Sequence, residues 1–142
     1  MAEVQREFLL RWIPQDGGSF LELDAGDGVI GSHAVWLEEA GWLGDCFEER
    51  VEAARVLKKN RPRSCRVGAG TEAMFGKPVD LVTARRDSSI KWITDRISDT
   101  FRPRRVIFQA RDPEPEIFKA MNQAGYRLDH FIHDDEYYGW KG

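Results

Sequence analysis

The chain has 142 residues, 42% of them hydrophobic and 32% charged, the balance of a single soluble domain spanning 1–142. A net charge of -3 and a pI near 5.7 give no basic footprint for nucleic acid. No apolar run approaches the roughly 20 residues that span a bilayer, so neither a nucleic-acid nor a membrane partner is expected.

The start, Met1-Ala-Glu-Val-Gln-Arg-Glu, lacks the apolar core of a signal peptide. Cys46 and Cys65 each fall inside an apparent strand and read as buried free thiols of a reducing compartment, hence a cytoplasmic location. A disulfide between them requires the two strands to be neighbours. There is no Cys-x-x-Cys, and His33, His130 and His133 lack zinc-ligand company, so no metal site is expected.

In chain order, a helix is predicted over about 3–12, with Phe8, Leu9 and Trp12 on one face. Pro14-Gln-Asp-Gly-Gly18 is a turn, and a strand follows at about 19–23. A helix over 30–40 places Ile30, Ala34 and Leu37 on one stripe and stops at Gly41. A strand at 43–48 leads to a helix at 50–60 with Val51, Ala54 and Leu57 inward, and then to a short strand near 64–68. Gly68 to Pro78 reads as a loop, with one helical turn at Glu72–Phe75. Val79-Asp-Leu-Val-Thr83 is a fourth strand. Asp87 or Ser88 caps a helix carrying Ile90, Ile93 and Ile97. Arg104–Gln109 is a fifth strand, and Asp112-Pro-Glu-Pro115 opens a helix ended by Gly125. Tyr126–Ile132 and about 136–140 flank His133-Asp-Asp135 as a terminal β-hairpin.

Alternating strands and helices imply an α/β fold with a mainly parallel sheet, helices on both faces and an antiparallel C-terminal hairpin. Seven strands in that order predict the Rossmann-like architecture of class I methyltransferases rather than a plain dinucleotide fold. Tyr137, Tyr138 and Trp140 end the chain, where they would cover a sheet edge or join a homodimer interface.

The chemistry concentrates in Phe20-Leu-Glu-Leu-Asp-Ala-Gly-Asp-Gly28 and Asp45-Cys-Phe-Glu48. A strand, a glycine-bearing turn, a helix and a second strand ending in a carboxylate hold a nucleoside in Rossmann-like sheets. The glycines let the backbone approach the ligand. Glu48 is placed to accept two ribose hydroxyl bonds, which favours an unphosphorylated ribose. Glu22-x-Asp24-x-Gly26-x-Gly28 is nearly the acidic-x-Gly-x-Gly-x-Gly turn of S-adenosylmethionine enzymes, with Asp24 at the first glycine. Gly26-x-Gly28-x-x-Gly31 also matches the dinucleotide fingerprint, so a nicotinamide-dependent enzyme is an alternative.

Phe20 to Ser32, Leu37-Glu-Glu-Ala-Gly-Trp-Leu-Gly44, Cys46-Phe-Glu48 and Leu57-Lys-Lys-Asn-Arg-Pro62 resemble the FkbM-type methyltransferases, which show a Phe-Val-Glu-Ile-Gly-Ala-x-Asp-Gly turn and an Ile-Glu-Pro-Asn strand end. The likeness is strong over about 20–62 and fainter through Val79-Asp-Leu-Val and Gly125-Tyr-Arg-Leu. It implies S-adenosylmethionine as cofactor and an oxygen of a sugar or other small molecule as methyl acceptor. Carried over by position, Glu22 belongs to the cofactor turn, and Asp24, Ala25, Gly26, Asp27 and Gly28 pass the cofactor. Ser32 contacts its methionine end, Glu48 holds the ribose, and Gly70 and Thr71 neighbour the adenine. Cleft-side candidates for taking the acceptor's proton are Asp27, His33 and Asp87.

Three departures stand against the pattern. Asp24 replaces a glycine and takes up space near the cofactor. Ala84-Arg-Arg-Asp-Ser88 replaces an Ile-Asp-Val-Glu-Gly segment, putting Arg85 where an aspartate is usual, able to bind an anion or pair with Asp24. Glu49-Arg50 replaces Pro-Asn after Glu48, which reads as a minor change. The first two support a second class of function, a noncatalytic methyltransferase-like fold used as a binding or interaction module. Such a fold should show Asp24 or Arg85 filling the cofactor's space.

Overall fold

A computed structural model describes residues 2–29, 32–67, 78–98, 100–109, 115–132 and 134–142. Helix α1 covers Ala2–Trp12, strand β1 Ser19–Glu22, α2 Ala34–Glu39, β2 Leu43–Glu48 and α3 Val51–Asn60. Then come β3 Cys65–Val67, β4 Leu81–Ala84, α4 Asp87–Arg96, β5 Arg105–Gln109, α5 Pro115–Gln123, β6 Tyr126–Ile132 and β7 Asp135–Trp140.

The seven strands form one sheet in the order β3-β2-β1-β4-β5-β7-β6. The first five are parallel, and β7 runs antiparallel to both β5 and β6. Strand order reverses at β1, between β2 and β4, which opens a crevice outside the carboxyl ends of those strands.

Successive strand residues face opposite sides, so each strand feeds two cores. Phe20, Cys46, Leu81, Ile107 and Tyr137 pack with Leu9 and Ile13, with Ala34 and Leu37 of α2, and with Leu57 of α3. Leu21, Val82, Val106, Phe108 and Tyr138 pack with Ile90 and Ile93 of α4 and Met121 of α5. Helices therefore cover both faces. Tyr137 and Tyr138 are fully buried, one in each core, so they are interior packing residues and not the edge or dimer-interface residues expected from their place near the chain end. Trp140 stays partly exposed, with the Arg102 guanidinium 4.9 Å from its ring centre.

Two helix starts differ from expectation. The stripe from Ile30 to Leu37 predicts a helix over 30–40, but α2 has six residues and begins at Ala34. Residues 30–31 and the 68–77 loop, with its expected helical turn, lie outside the described residues. The capping role expected of Asp87 or Ser88 is not found: Arg86 stands at the N-cap of α4 with no side-chain cap bond, and the lead-in to this helix is held by Asp24 of a distant turn.

Cys46 and Cys65 are register partners on the neighbouring strands β2 and β3, and Cys46 is a free, buried thiol. Burial, reinforced by the nearby Glu22 carboxylate, pushes its pKa well above the ordinary thiol range, so it stays protonated and inert. No helix among the described residues is long and apolar enough to cross a membrane.

Candidate functional site

Strand pairing continues past the end of β1. The Leu23 N–H donates to the Thr83 carbonyl at 2.8 Å and the Ala25 N–H to the Phe47 carbonyl at 2.9 Å. The chain then turns through left-handed positions at every second residue: Asp24 at φ 57°, Gly26 at 63° and Gly28 at 78°. These are the three positions of the glycine motif. Asp24 thus keeps the backbone conformation of the glycine it replaces, which aspartate tolerates better than most residues. At Gly28 a Cβ would sit 2.6 Å from Leu57 Cδ1 and 2.8 Å from Arg61 Cγ, so glycine is required for space as well as for φ.

The Asp24 carboxylate points across the crevice to the β4 side. Its Oδ2 accepts the backbone N–H of Arg85 at 3.1 Å and of Arg86 at 2.9 Å, and its Oδ1 accepts the Ser89 hydroxyl at 3.1 Å. Arg85 leans over the same turn, its Nη1 lying 3.4 Å from where a Gly26 Cβ would be. Asp24 and Arg85 therefore both border the space at the carboxyl ends of β1 and β4.

Glu48 ends β2 on the other side of the turn and is 1% exposed. Its Oε1 accepts the Gly26 N–H at 3.0 Å and Arg50 Nη2 at 3.1 Å. Its Oε2 accepts the Arg50 N–H at 2.9 Å and Arg50 Nε at 3.0 Å. Burial alone would raise the Glu48 pKa, but the bonds from Arg50 and Gly26 outweigh it and lower the pKa to about 2. Glu48 also raises the Arg50 pKa by accepting its hydrogen bonds. Next to this pair, Arg86 is salt-bridged to Glu49, joining β2 to the start of α4.

Beneath the turn lies a buried polar network. Glu22 accepts the Ser32 hydroxyl at 2.7 Å and the His33 N–H at 3.0 Å. His33 is 3% exposed, and its Nε2 lies 2.9 Å from Asp135 Oδ2 at the start of β7. Its Nδ1 is 3.5 Å from the Thr83 hydroxyl. Gln5 of α1 also donates to Asp135, at 3.1 Å. His33 thus occupies an interior position, not the cleft-side one expected from sequence. Glu22 and Ser32 are spent on each other in the same interior layer.

Asp27 is half-buried, and its Oδ1 accepts the Val29 N–H at 2.8 Å. The Asp27 carbonyl accepts from Asn60 at 2.7 Å and the Gly28 carbonyl from Arg61 Nε at 3.0 Å, which ties the far end of the turn to α3. Asp87 is exposed in the first turn of α4. The structure therefore gathers Asp24, Ala25, Gly26, Glu48 and Arg85 around one crevice, with Asp27 and Gly28 on its α3 side. Gly70 and Thr71 lie outside the described residues. Sequence reasoning missed the part of Arg50, whose only signal was a cation two residues after a strand-end carboxylate. It also missed Asp135, for which there was no local signal.

No known family profile matches this sequence, and no curated protein matches it. Solved structures do. A ribosomal protein L11 methylase from Lactobacillus delbrueckii subsp. bulgaricus superposes with a TM-score of 0.69 at 14% identity, over 99% of this chain and 77% of that one. An RNA methyltransferase from Salinibacter ruber, solved with S-adenosyl-L-homocysteine, matches with a TM-score of 0.63 at 18% identity, over 98% and 89% of the two chains. The bifunctional kinase-methyltransferase WbdD matches with a TM-score of 0.66 at 15% identity, over 99% of this chain and 40% of that one. Three neighbours with different methylation roles share one architecture, and with the strand order and the glycine turn they show that this chain has the fold of the class I S-adenosylmethionine-dependent methyltransferases.

Proposed function

We propose that the protein binds S-adenosylmethionine at the carboxyl ends of β1 and β2 and acts as an O-methyltransferase on a sugar or other small molecule. The observation that carries this reading is Glu48: a buried, ionised carboxylate at the tip of β2, beside a turn with no Cβ at Gly26, at the sheet's switch point. The cofactor fits these residues once the Arg50 guanidinium gives up its two bonds to Glu48. Ribose hydroxyls are donors, and an ionised carboxylate accepts them with charge-assisted bonds. Asp24 and Arg85 bring opposite charges to the β4 side of the crevice, the complement of an amino acid's ammonium and carboxylate.

When bound, the cofactor supplies a sulfonium-activated methyl group for in-line transfer. The chain's share is to orient it and to take the acceptor's proton. Asp27 and Asp87 keep carboxylates within reach of solvent, and we assign the proton-accepting role to one of them; His33 positions α2 through Asp135. The FkbM-type likeness of residues 20–62 is what makes oxygen the proposed acceptor atom.

A second reading, a noncatalytic binding module on the same fold, is favoured by two observations. Asp24 is already bonded to the β4 side, and Glu48 already holds a guanidinium. Against it, the Arg50 side chain is 58% exposed, so water can take over its guanidinium when ribose hydroxyls replace it on Glu48. The nicotinamide alternative loses ground to the terminal β6–β7 hairpin, which a plain dinucleotide fold lacks. Calorimetric titration of Glu48→Ala with S-adenosylhomocysteine tests the assignment. Binding should weaken by roughly 1.5–3 kcal/mol, the scale of lost hydrogen bonds to a charged group. A dissociation constant equal to the wild type's would sink it.

A further inference from the structure

A carboxylate offers about four lone-pair sites, two on each oxygen. At Glu48 all four are taken. Two of the donors are backbone N–H groups, from Gly26 on Oε1 and from Arg50 on Oε2, and the turn and the start of α3 fix them in place. The other two are Arg50 guanidinium nitrogens, Nη2 on Oε1 and Nε on Oε2. The Arg50 side chain is 58% exposed, so water can rehydrate it if it leaves. Its departure would free one site on each oxygen while the backbone bonds kept the carboxylate in position.

Two acceptor sites side by side on one carboxylate match the two hydroxyls of a ribose cis-diol. We propose that Arg50 controls nucleoside access: in the ligand-free protein its guanidinium holds the two sites on Glu48 that the ribose diol takes, and it must swing out for the nucleoside to bind. The inference rests on the reading of Glu48 as the ribose acceptor. Nothing in the resemblance supplies it, because the pattern there has Pro-Asn where this chain has Glu49-Arg50. Arg50 is accordingly not a minor change.

The same geometry gives a salt effect of unusual sign. Salt screens the half-exposed Arg50–Glu48 pair, whereas the bonds from uncharged ribose hydroxyls to the carboxylate are screened far less. Adenosine should therefore bind the wild-type protein more tightly as salt rises.

The test is titration of wild type, Arg50→Ala and Arg50→Lys with S-adenosylhomocysteine, adenosine and 2′-deoxyadenosine at low and high salt, with circular dichroism as a check on folding. Arg50→Ala should bind S-adenosylhomocysteine and adenosine roughly threefold to tenfold more tightly, the scale of an exposed ion pair, and Arg50→Lys by less. The gain should shrink for 2′-deoxyadenosine, which lacks one of the two hydroxyls, and the salt effect should vanish in Arg50→Ala. Binding by Arg50→Ala where the wild type binds nothing measurable would also support the inference. Equal or weaker binding by a folded Arg50→Ala, with the wild type binding, would overturn it and leave the cofactor assignment standing. No binding by either folded protein would overturn both.

Discussion

Asp24 sets a backbone penalty against three hydrogen bonds. A left-handed conformation costs an L-residue about 1–2 kcal/mol, less for aspartate than for most. The carboxylate offsets this by holding the Arg85 and Arg86 N–H groups and the Ser89 hydroxyl at the start of α4. Asp24→Ala removes the bonds and keeps the strain, and should lose about 2–3 kcal/mol of stability. Asp24→Gly removes both and should lose about 1 kcal/mol less than the alanine variant. Urea denaturation of the two variants gives the comparison; equal losses would mean the φ of 57° carries no strain.

Glu48 makes a prediction about pH. Its pKa falls from an ordinary 4.5 to about 2 on folding, so its contribution to stability is complete above the unfolded value and is lost as pH drops toward 2. Glu48→Gln cannot ionise. The gap in melting temperature between wild type and Glu48→Gln should therefore be constant above about pH 5.5 and close between about pH 4.5 and pH 2. A gap that stays flat to pH 2 would show that the carboxylate is not held in its charged form. Glu48 was visible in the sequence because strand-end carboxylates at this spacing have a known use. Its bond partners were not, because the direction of the Arg50 side chain is set by local backbone geometry at the start of α3.

The elements were legible where a local signal ended them. Gly41 and Gly125 take positive φ at helix ends, and Asp134 at φ 69° makes the hairpin turn between β6 and β7. The start of α2 was not legible. Glu22 draws in the Ser32 hydroxyl and the His33 N–H, so the chain is committed to the interior before the helix begins. His33 then joins α2 to β7 through Asp135, 102 residues further along the chain. Removing the ring leaves the buried Asp135 with Gln5 and the Tyr137 hydroxyl as donors to Oδ2 and, among the described residues, no donor to Oδ1. His33→Ala should therefore destabilise by roughly 1–3 kcal/mol in chemical denaturation, the scale of taking one partner from a buried hydrogen bond. A loss under 1 kcal/mol would show that α2 and β7 are not coupled this way.

For the whole molecule, alternation of strands and helices was enough to anticipate the sheet and its two covered faces, because period-two burial feeds both cores. The crevice was legible only as a location. Its chemistry depends on contacts such as Asp24 with Arg86, Glu48 with Gly26 and Glu49 with Arg86, which join residues 22 to 62 positions apart. Such contacts leave no periodic trace, and they separate a cofactor site from a merely similar fold. Whether the crevice beside Glu48 takes an S-adenosyl nucleoside is decided by calorimetric titration of the wild-type protein with S-adenosylmethionine and S-adenosylhomocysteine, with NAD as the control. Saturable binding of the first two, and none of NAD, is the predicted result. A folded protein that binds neither would contradict the account and favour a methyltransferase fold that serves as a binding module.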